Sequence, residues 1–360
     1  MAKMTIKKRE RKIVFDRKYY GSLMKEFGYN PLEFEKINFS LGKLKKDDLQ
    51  RMWLCHHDGN SFARDLKNGE KVIVSTGFGL SGEPHIGTLS QILRSIALQK
   101  AGIPVQIVLG DLDAYNGKAI PLKKTIELAK KYKDFILSLG FDTKKGSMLR
   151  AQYNELDILR TSYIIGHFTN DKMFNEAEED LHFFYHKRGK VDKGMSYRRK
   201  LSLNLMTADF IHLSLKQGYK NVLVMLGIDE HQYIRFGQEV VAKMKKSKQF
   251  ENFGMTLSAI YSPMIKGFYN YPKMSKSFPK SSINVNMKPN EIRKKIIYGE
   301  GKYDKPENNV VYQMMTSVSY YSPKELKRLY GLCLNKKPGW EIAKKDYAEM
   351  LIKICSKWKK

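Results

Sequence analysis

Val72-Ile73-Val74-Ser75-Thr76-Gly77-Phe78-Gly79-Leu80-Ser81-Gly82-Glu83-Pro84-His85-Ile86-Gly87-Thr88 is the stretch whose reading decides the fold. Val72 to Thr76 is a short β-branched run, the pattern of a buried strand. A glycine-rich loop follows. Then Leu89, Ile92, Leu93 and Ile96 recur at helical spacing and mark one face of a helix from about Thr88 to Lys100, which Gly102 and Pro104 stop. Val105 to Leu109 is the next apolar run, a second strand ending at Gly110-Asp111-Leu112-Asp113. Pro121 opens another helix, with Ile126, Ala129, Ile136 and Leu139 on one face and Lys123, Lys124, Lys130, Lys131 and Lys133 on the other, and Gly140 ends it. Strand, helix, strand, helix at these loop lengths predicts a parallel, doubly wound sheet.

The same grammar resumes after residue 200. Residues 150–200 read as mostly helical and carry the basic stretch Tyr197-Arg198-Arg199-Lys200. Leu203 to Gln217 reads as a helix, and Val222 to Leu226 as a strand with Gly227-Ile228-Asp229 at its carboxyl end. Gln232 to Lys245 reads as a helix and Leu257 to Tyr261 as the last strand, with the Lys273 loop beyond it. After Pro289 only helices are expected: Glu291 to Ile297, Asn309 to Val318, Pro323 to Tyr330, and Trp340 to Trp358. The first 70 residues read as a separate piece, with Met1 to Lys12 disordered, short helices over Asp16 to Phe27 and Leu32 to Phe39, and a strand over Arg51 to His57. The expected organisation is a basic N-terminal extension (1–70), a Rossmann-like α/β domain (71–289) and a C-terminal helical region (290–360).

Among 360 residues, 65 Lys and Arg face 37 Asp and Glu, a formal net charge of +28. Such an excess repels itself unless a polyanion is at hand, and nucleic acid is the first candidate. Candidate contacts are Lys7 to Lys12, Arg198 to Lys200, and Arg293, Lys294, Lys295, Lys324, Lys327, Arg328 and Lys357 to Lys360. The three cysteines, Cys55, Cys333 and Cys355, are scattered and odd in number, which implies a reducing compartment and a cytoplasmic protein. Neither a secretory signal nor an apolar run of membrane-spanning length is apparent, so no membrane role is expected. Cys55-His56-His57 looks ligand-like, but neighbours on a strand point to opposite faces, so no metal site is expected there.

Ligands of open α/β sheets bind beyond the carboxyl ends of the strands. The loop from Gly77 to Thr88, Asp111, Gly227-Ile228-Asp229 and the loop Lys273-Met274-Ser275-Lys276-Ser277 all fall there. Glycines at 77, 79, 82 and 87 admit close backbone approach, and the helix that follows offers free N–H groups to an anion. His85 beside that terminus can donate to a phosphate oxygen, and Lys273 and Lys276 supply compact charges for β- and γ-phosphates or departing pyrophosphate. The spacing is not that of a P-loop. Gly77-Phe78-Gly79-Leu80-Ser81-Gly82 fits the letters of a dinucleotide fingerprint, but no helix starts immediately after it, so that match is accidental.

His85-Ile86-Gly87 with Lys273 to Ser277 resembles the HIGH and KMSKS signatures of class I aminoacyl-tRNA synthetases. Met206-Thr207-Ala208-Asp209, Gly227 to Gln232, and the run Lys273 to Val285 are similar to the tryptophanyl/tyrosyl subclass, in its tryptophanyl form. Cys55-His56-His57-Asp58 resembles a block that archaeal and eukaryotic tryptophanyl enzymes carry before the first strand. Thr88, Ser202 and Leu203 depart from the family pattern, and Gly110 to Tyr115 looks more like the tyrosyl enzymes. The resemblance implies ATP and Mg2+ as cofactors, tRNA and an aromatic amino acid (tryptophan or tyrosine) as partners, and a homodimer. It implies His85, Lys273 and Lys276 as catalytic residues. Gly77, Gly79, Gly87, Gly227, Asp229, Met274 and Ser275 would join them around ATP, and Phe78, Met206, Asp209, Asp229 and Gln232 would receive the amino acid. An aspartate placed like Asp209 accepts a hydrogen bond from the substrate's ring N–H or O–H. Two alternatives stay open: the tyrosyl activity, and a related adenylate-forming enzyme with a non-tRNA acceptor.

Overall fold

The computed structural model describes residues 13–32, 40–336 and 338–359. The segment Met1 to Lys12, nearly all of the helix expected over Leu32 to Phe39, and Lys360 lie outside the described residues. In chain order the strands are β1 (Asn30–Pro31), β2 (Cys55–His57), β3 (Val72–Gly79), β4 (Val105–Gly110), β5 (Met148–Ala151), β6 (Asn221–Gly227) and β7 (Thr256–Ser262). The α-helices are α1 (Arg17–Phe27), α2 (Lys46–Met52), α3 (Gly59–Lys67), α4 (Ile86–Lys100), α5 (Asp111–Lys118), α6 (Leu122–Ser138), α7 (Leu156–Ile165) and α8 (Asp171–Glu176). They continue with α9 (His182–His186), α10 (Tyr197–Gln217), α11 (His231–Lys245), α12 (Pro289–Tyr298), α13 (Val310–Ser317), α14 (Pro323–Leu334) and α15 (Pro338–Cys355).

All seven strands form one sheet in the order β1-β2-β7-β6-β3-β4-β5. From β7 to β5 the pairings are parallel, and β1 and β2 add antiparallel at the β7 edge. Winding runs from β3 outward through β4 to β5 on one side and through β6 to β7 on the other. The order therefore reverses between β3 and β6, where an open sheet leaves a crevice at its strand ends.

Alternation along the buried strands separates two cores. On β6, Val222, Val224 and Leu226 join one core with Ile158, Phe210 and Ile234, while Leu223 and Met225 join the other with Leu89, Ile92 and Tyr132. The second core also takes in Leu49 and Phe62 from the N-terminal segment and Ile296, Val311, Leu329 and Leu351 from the C-terminal helices. The first 70 residues, read as a separate piece, thus supply the antiparallel strands of the same sheet. The C-terminal helices share a core with the sheet rather than closing one of their own.

Several local expectations are corrected. Gly77, Phe78 and Gly79 belong to β3, which runs on through the glycines because β4 pairs with it as far as Gly79. Arg51 lies in α2, and only Cys55–His57 of the expected strand pairs with β7. α10 begins at Tyr197, six residues earlier than expected, because Arg199 is a buried inward-facing member of its first turn. A helix not foreseen starts at Asp111, directly after β4, with Asp111 and Asp113 in its first turn. β5 was not anticipated; it is a half-buried four-residue edge strand without an apolar run. Among the described residues no helix is long and apolar enough to cross a membrane.

Candidate active site

The two signature segments meet through their backbones. Val285 N–H donates to Pro84 O (3.0 Å) and Ile86 N–H to Ile283 O (3.1 Å), with His85 and Asn284 bridged between them. The chain that carries Lys273 to Ser277 is therefore stitched to the entry of α4. His85 is the N-cap of that helix: its extended backbone lets Nδ1 accept from Gly87 N–H (2.8 Å) and, at longer range, Thr88 N–H (3.4 Å). An Nδ1 that accepts leaves the proton on Nε2, so the imidazole offers the adjoining cavity a neutral N–H donor. Burial, with Lys276 and Lys273 adding to it, pushes the His85 pKa down to about 3.

This cavity, of about 330 Å³, opens at the carboxyl ends of β3, β4 and β6, a size fit for small ligands. It is lined by every residue expected to bind ATP or act in catalysis: Gly77, Gly79, His85, Gly87, Gly227, Asp229, Lys273, Met274, Ser275 and Lys276. The glycines answer first to their own neighbours. A Cβ at Gly87 would lie 2.6 Å from His85 Cε1, one at Gly79 2.8 Å from Asp113 Oδ2, and one at Gly227 2.8 Å from Asp229 Oδ1. Each glycine thus lets a polar side chain fold back over the strand ends.

The Lys273 loop is pinned rather than free. Met274 and Ser275 are buried. Met274 N–H donates to Ile265 O (3.0 Å), Ser275 N–H to Ser281 Oγ (3.0 Å), and Tyr185 Oη–H to Ser275 Oγ (3.1 Å). Phe278 stacks on Tyr185 at 5.7 Å. Lys273 forms an ion pair with Asp229 across the cavity. Burial opposes the Lys273 charge, but Asp229 outweighs it and holds the pKa well above that of a free lysine. Lys276 donates to Gly79 O (2.6 Å). It has no such carboxylate partner, and burial, only partly offset by Asp113, Glu230 and Glu83, pulls it down to about 8. Glu230, also on the wall, is driven up to about 8 by burial and by Asp229.

Phe78, Met206 and Asp209, expected around the amino acid, line the same cavity. Asp209 is 4% exposed. Its Oδ2 accepts from Gln152 Nε2 (2.8 Å), its Oδ1 has no partner among the described residues, and burial raises its pKa well above the carboxylate range. A carboxylate so placed asks for a further donor. Of the residues expected around the amino acid, Gln232 alone is absent from the lining; Glu230 and Tyr233, three apart and so on one helical face, take its place. Ser202, where the sequence departs from the family, donates to Asp113 O (3.1 Å) and packs against Gly117 of α5.

Gln152, Tyr185, Arg94 and Arg199 also line the cavity and were not foreseen. Arg94 was within reach: Gly87, Ser90, Gln91 and Arg94 form a polar stripe opposite the apolar face of α4. Arg94 is 3% exposed, donates to Ser90 Oγ (3.0 Å), and is lowered to about 9 by burial with Arg51 nearby. Arg199 grips Glu178 with two hydrogen bonds (2.9 and 2.8 Å), and His182 Nδ1 lies 2.8 Å from the same carboxylate. The basic stretch around it is therefore not the open face expected for nucleic acid: Arg198 pairs with Asp192 and Lys200 with Asp171. Among the described residues no cluster of His, Cys, Asp or Glu is arranged for a metal. His56 Nδ1 instead accepts from Gly59 N–H (3.1 Å).

A family model for class I tRNA synthetases (W and Y) matches residues 67–357. The tryptophan–tRNA ligase of Hyperthermus butylicus is 22% identical over 93% of this chain and 89% of its own. That of Methanocaldococcus jannaschii is 25% identical over 87% and 84%. The crystal structure of the tryptophanyl-tRNA synthetase from Aeropyrum pernix K1 superposes with a TM-score of 0.77 at 22% identity, covering 95% of this chain and 94% of that one.

The His85 cap carries a pH signature. Its native pKa near 3 lies below the 6.5 of an unburied histidine. Between those values the unfolded chain binds a proton that the native chain does not, so this contribution to stability is full above about pH 6.5 and is lost as pH falls toward 3. His85→Asn keeps an acceptor at the cap and removes the titration. Urea midpoints between pH 7 and 4 should therefore fall less steeply in His85→Asn than in the parent, and parallel slopes would contradict the assignment.

Proposed function

We propose, for a chain that belongs to the class I tRNA synthetases of the tryptophan and tyrosine (W and Y) group, that it activates tryptophan with ATP and transfers it to tRNA. As a member of that family the protein is a ligase that uses ATP. The choice of tryptophan over tyrosine leans on the relatives, which are tryptophan–tRNA ligases along nearly their whole length. The observation that carries the mechanism is the convergence of His85, Lys273 and Lys276 on one cavity that also holds a buried Asp209 Oδ1 without a partner among the described residues.

The amino-acid carboxylate attacks the α-phosphate of ATP in line, and pyrophosphate leaves. The nucleophile is already ionised, so no general base is required, and acceleration comes from positioning and charge stabilisation. The His85 Nε2–H donates to phosphate oxygen. Lys276 exchanges Gly79 O for the triphosphate, and Lys273, drawn toward Asp229 until then, takes the departing pyrophosphate. Mg2+ arrives with ATP as part of the substrate, in keeping with its habit of binding through phosphates. The indole N–H of the substrate donates to Asp209 Oδ1 and stabilises its ionised form. Met206, Phe78 and Tyr233 enclose the ring. The 3′-terminal ribose hydroxyl of tRNA then attacks the acyl carbon of the aminoacyl-adenylate, the acyl–phosphate bond breaks, and AMP leaves as the hydroxyl loses its proton.

Residues 71–289 form the catalytic unit in this reading, residues 1–70 an extension, and 290–360 the part that meets tRNA. Within the latter, Arg293 pairs with Glu349, Lys295 bonds the Lys280 and Ser282 carbonyls, and Lys357 bonds Ser138 O. Lys294, Lys324, Lys327 and Arg328 stay exposed and are the better phosphate contacts. A homodimer is supported by exposed apolar side chains on α7 and α10, helices that pack together: Leu156 (63% exposed), Tyr163 (92%) and Tyr197 (76%). The workplace is the cytoplasm.

Three measurements test this reading. Pyrophosphate exchange across the twenty amino acids should respond to tryptophan, with Asp209→Ala losing the preference over phenylalanine; a response to tyrosine alone would move the chain to the tyrosyl activity, and a response to none would remove the proposal. Lys276→Ala should slow exchange by about 10²-fold and leave the KM for tryptophan nearly unchanged, whereas a wild-type rate would exclude Lys276 from the chemistry. Sedimentation equilibrium should give twice the 41.8 kDa of one chain, and a single-chain mass at micromolar concentration would refute the dimer.

A further inference from the structure

We infer that Trp358, just past the end of α15, is a positioning residue for the ATP site, acting through Tyr132 of α6. Trp358 is buried, and its ring meets Tyr132 and Phe135 edge-on, each at 5.4 Å with planes at 84° and 85°. Beside it, Lys357 Nζ donates to Ser138 O (2.9 Å) at the carboxyl end of α6, where a cation is favoured. Lys357 and Trp358 are thus latched onto α6 by one charged hydrogen bond and one aromatic wedge.

Tyr132 is fully buried and touches both signature loops. Its hydroxyl donates to Gly82 O (2.9 Å) in the segment that leads to His85. The ammonium of Lys276 lies 5.3 Å above its ring centroid while donating to Gly79 O. Burial keeps the phenol protonated, so it stays a donor at any working pH. One ring therefore fixes the carbonyl edge of the first loop and the resting place of the lysine from the second. Trp358 packs edge-on against that same ring and against Phe135. Truncating Trp358 leaves a void that Tyr132 can enter only by abandoning Gly82.

The consequence reaches beyond packing. The final helix belongs to the region proposed to meet tRNA, and its tip is two contacts away from Lys276, the lysine proposed to engage the triphosphate. A displacement of that tip changes the loop geometry without touching the amino-acid pocket around Asp209. The kinetic form of this inference rests on the ATP-dependent reading above; its structural form does not.

The test compares Trp358→Ala with Trp358→Phe. Trp358→Ala should raise the KM for ATP in pyrophosphate exchange by about fivefold, the loss of one buried hydrogen bond. The KM for tryptophan and the circular dichroism should hold, and Trp358→Phe should restore most of the loss. An unchanged KM for ATP, or a parallel rise for ATP and tryptophan, overturns the inference. Should Trp358→Ala fail to fold, Tyr132→Phe decides: it keeps the ring and the wedge, removes only the bond to Gly82, and should reproduce the ATP defect, whereas wild-type ATP kinetics overturn the inference. Hydrogen exchange supplies a readout independent of activity, with amides of residues 79–83 expected to exchange faster in Trp358→Ala or Tyr132→Phe. If the parent supports exchange with no amino acid, the proposed function falls and hydrogen exchange alone judges the positioning role; equal rates in parent and variant then overturn it.

Discussion

The pairing of residues 84–86 with residues 283–285 is the constraint on which the rest of this molecule depends. Two backbone hydrogen bonds, Val285 N–H to Pro84 O and Ile86 N–H to Ile283 O, bring together segments that the chain keeps far apart. Closing such a loop is entropically unfavourable and yields nothing until the long-range contacts form. The parallel sheet between them supplies those contacts, with β3, β6 and β7 side by side. Once the strands are in register, the helix entry and the lysine loop emerge on the same edge, and their cations face one cavity without any local sequence signal having to specify it.

Gathering that much positive charge in a buried place is unfavourable unless each group is answered. The structure answers each one differently. Lys273 takes Asp229 as partner and keeps its charge. Lys276 takes a carbonyl and the face of Tyr132, weaker partners that leave its pKa low. His85 gives up its charge altogether and uses Nδ1 to cap α4. The three groups thus form a graded set: a tethered cation, a loosely held cation and a neutral donor. A polyanion entering the cavity would release the loosely held lysine first, because a carbonyl competes less well than a carboxylate.

What could be read from the sequence, and what could not, follows the range of the interactions. The strands Val72 to Thr76, Val105 to Leu109 and Val222 to Leu226 were legible because both of their faces are buried and the apolar run shows it. The helices of the last 70 residues were legible because one face is apolar at 3.6-residue spacing. β5 was hidden because a half-buried edge strand has no pattern to declare. The extension of β3 through Gly77 and Gly79 was hidden because those glycines read as loop, whereas their reason is the approach of Val108 and Asp113 from β4 and α5. Gln152 reaches Asp209 across 57 positions and Tyr185 reaches Ser275 across 90; no local periodicity records such contacts. Gln232 was misplaced by one residue on a helix, which at about 100° per residue is enough to turn a side chain away from the cavity.

The same distinction explains why the basic stretch at Tyr197 to Lys200 misled. Charge counted along the chain treats every arginine as a solvated point, but α10 turns Arg199 inward, where Glu178 holds it with two parallel bonds and His182 shares the carboxylate. A guanidinium so engaged is a structural strut between the segment 171–196 and α10, and it lines the cavity. Such pairs remove one charge of each sign, so they leave the net charge of +28 unchanged and decide only where the surplus lies. The part that faces solvent without a carboxylate is concentrated where helices present their outer faces, as at Lys324, Lys327 and Arg328 of α14. Long-range attraction of RNA follows from the total, whereas docking follows only from those that no neighbour has already claimed.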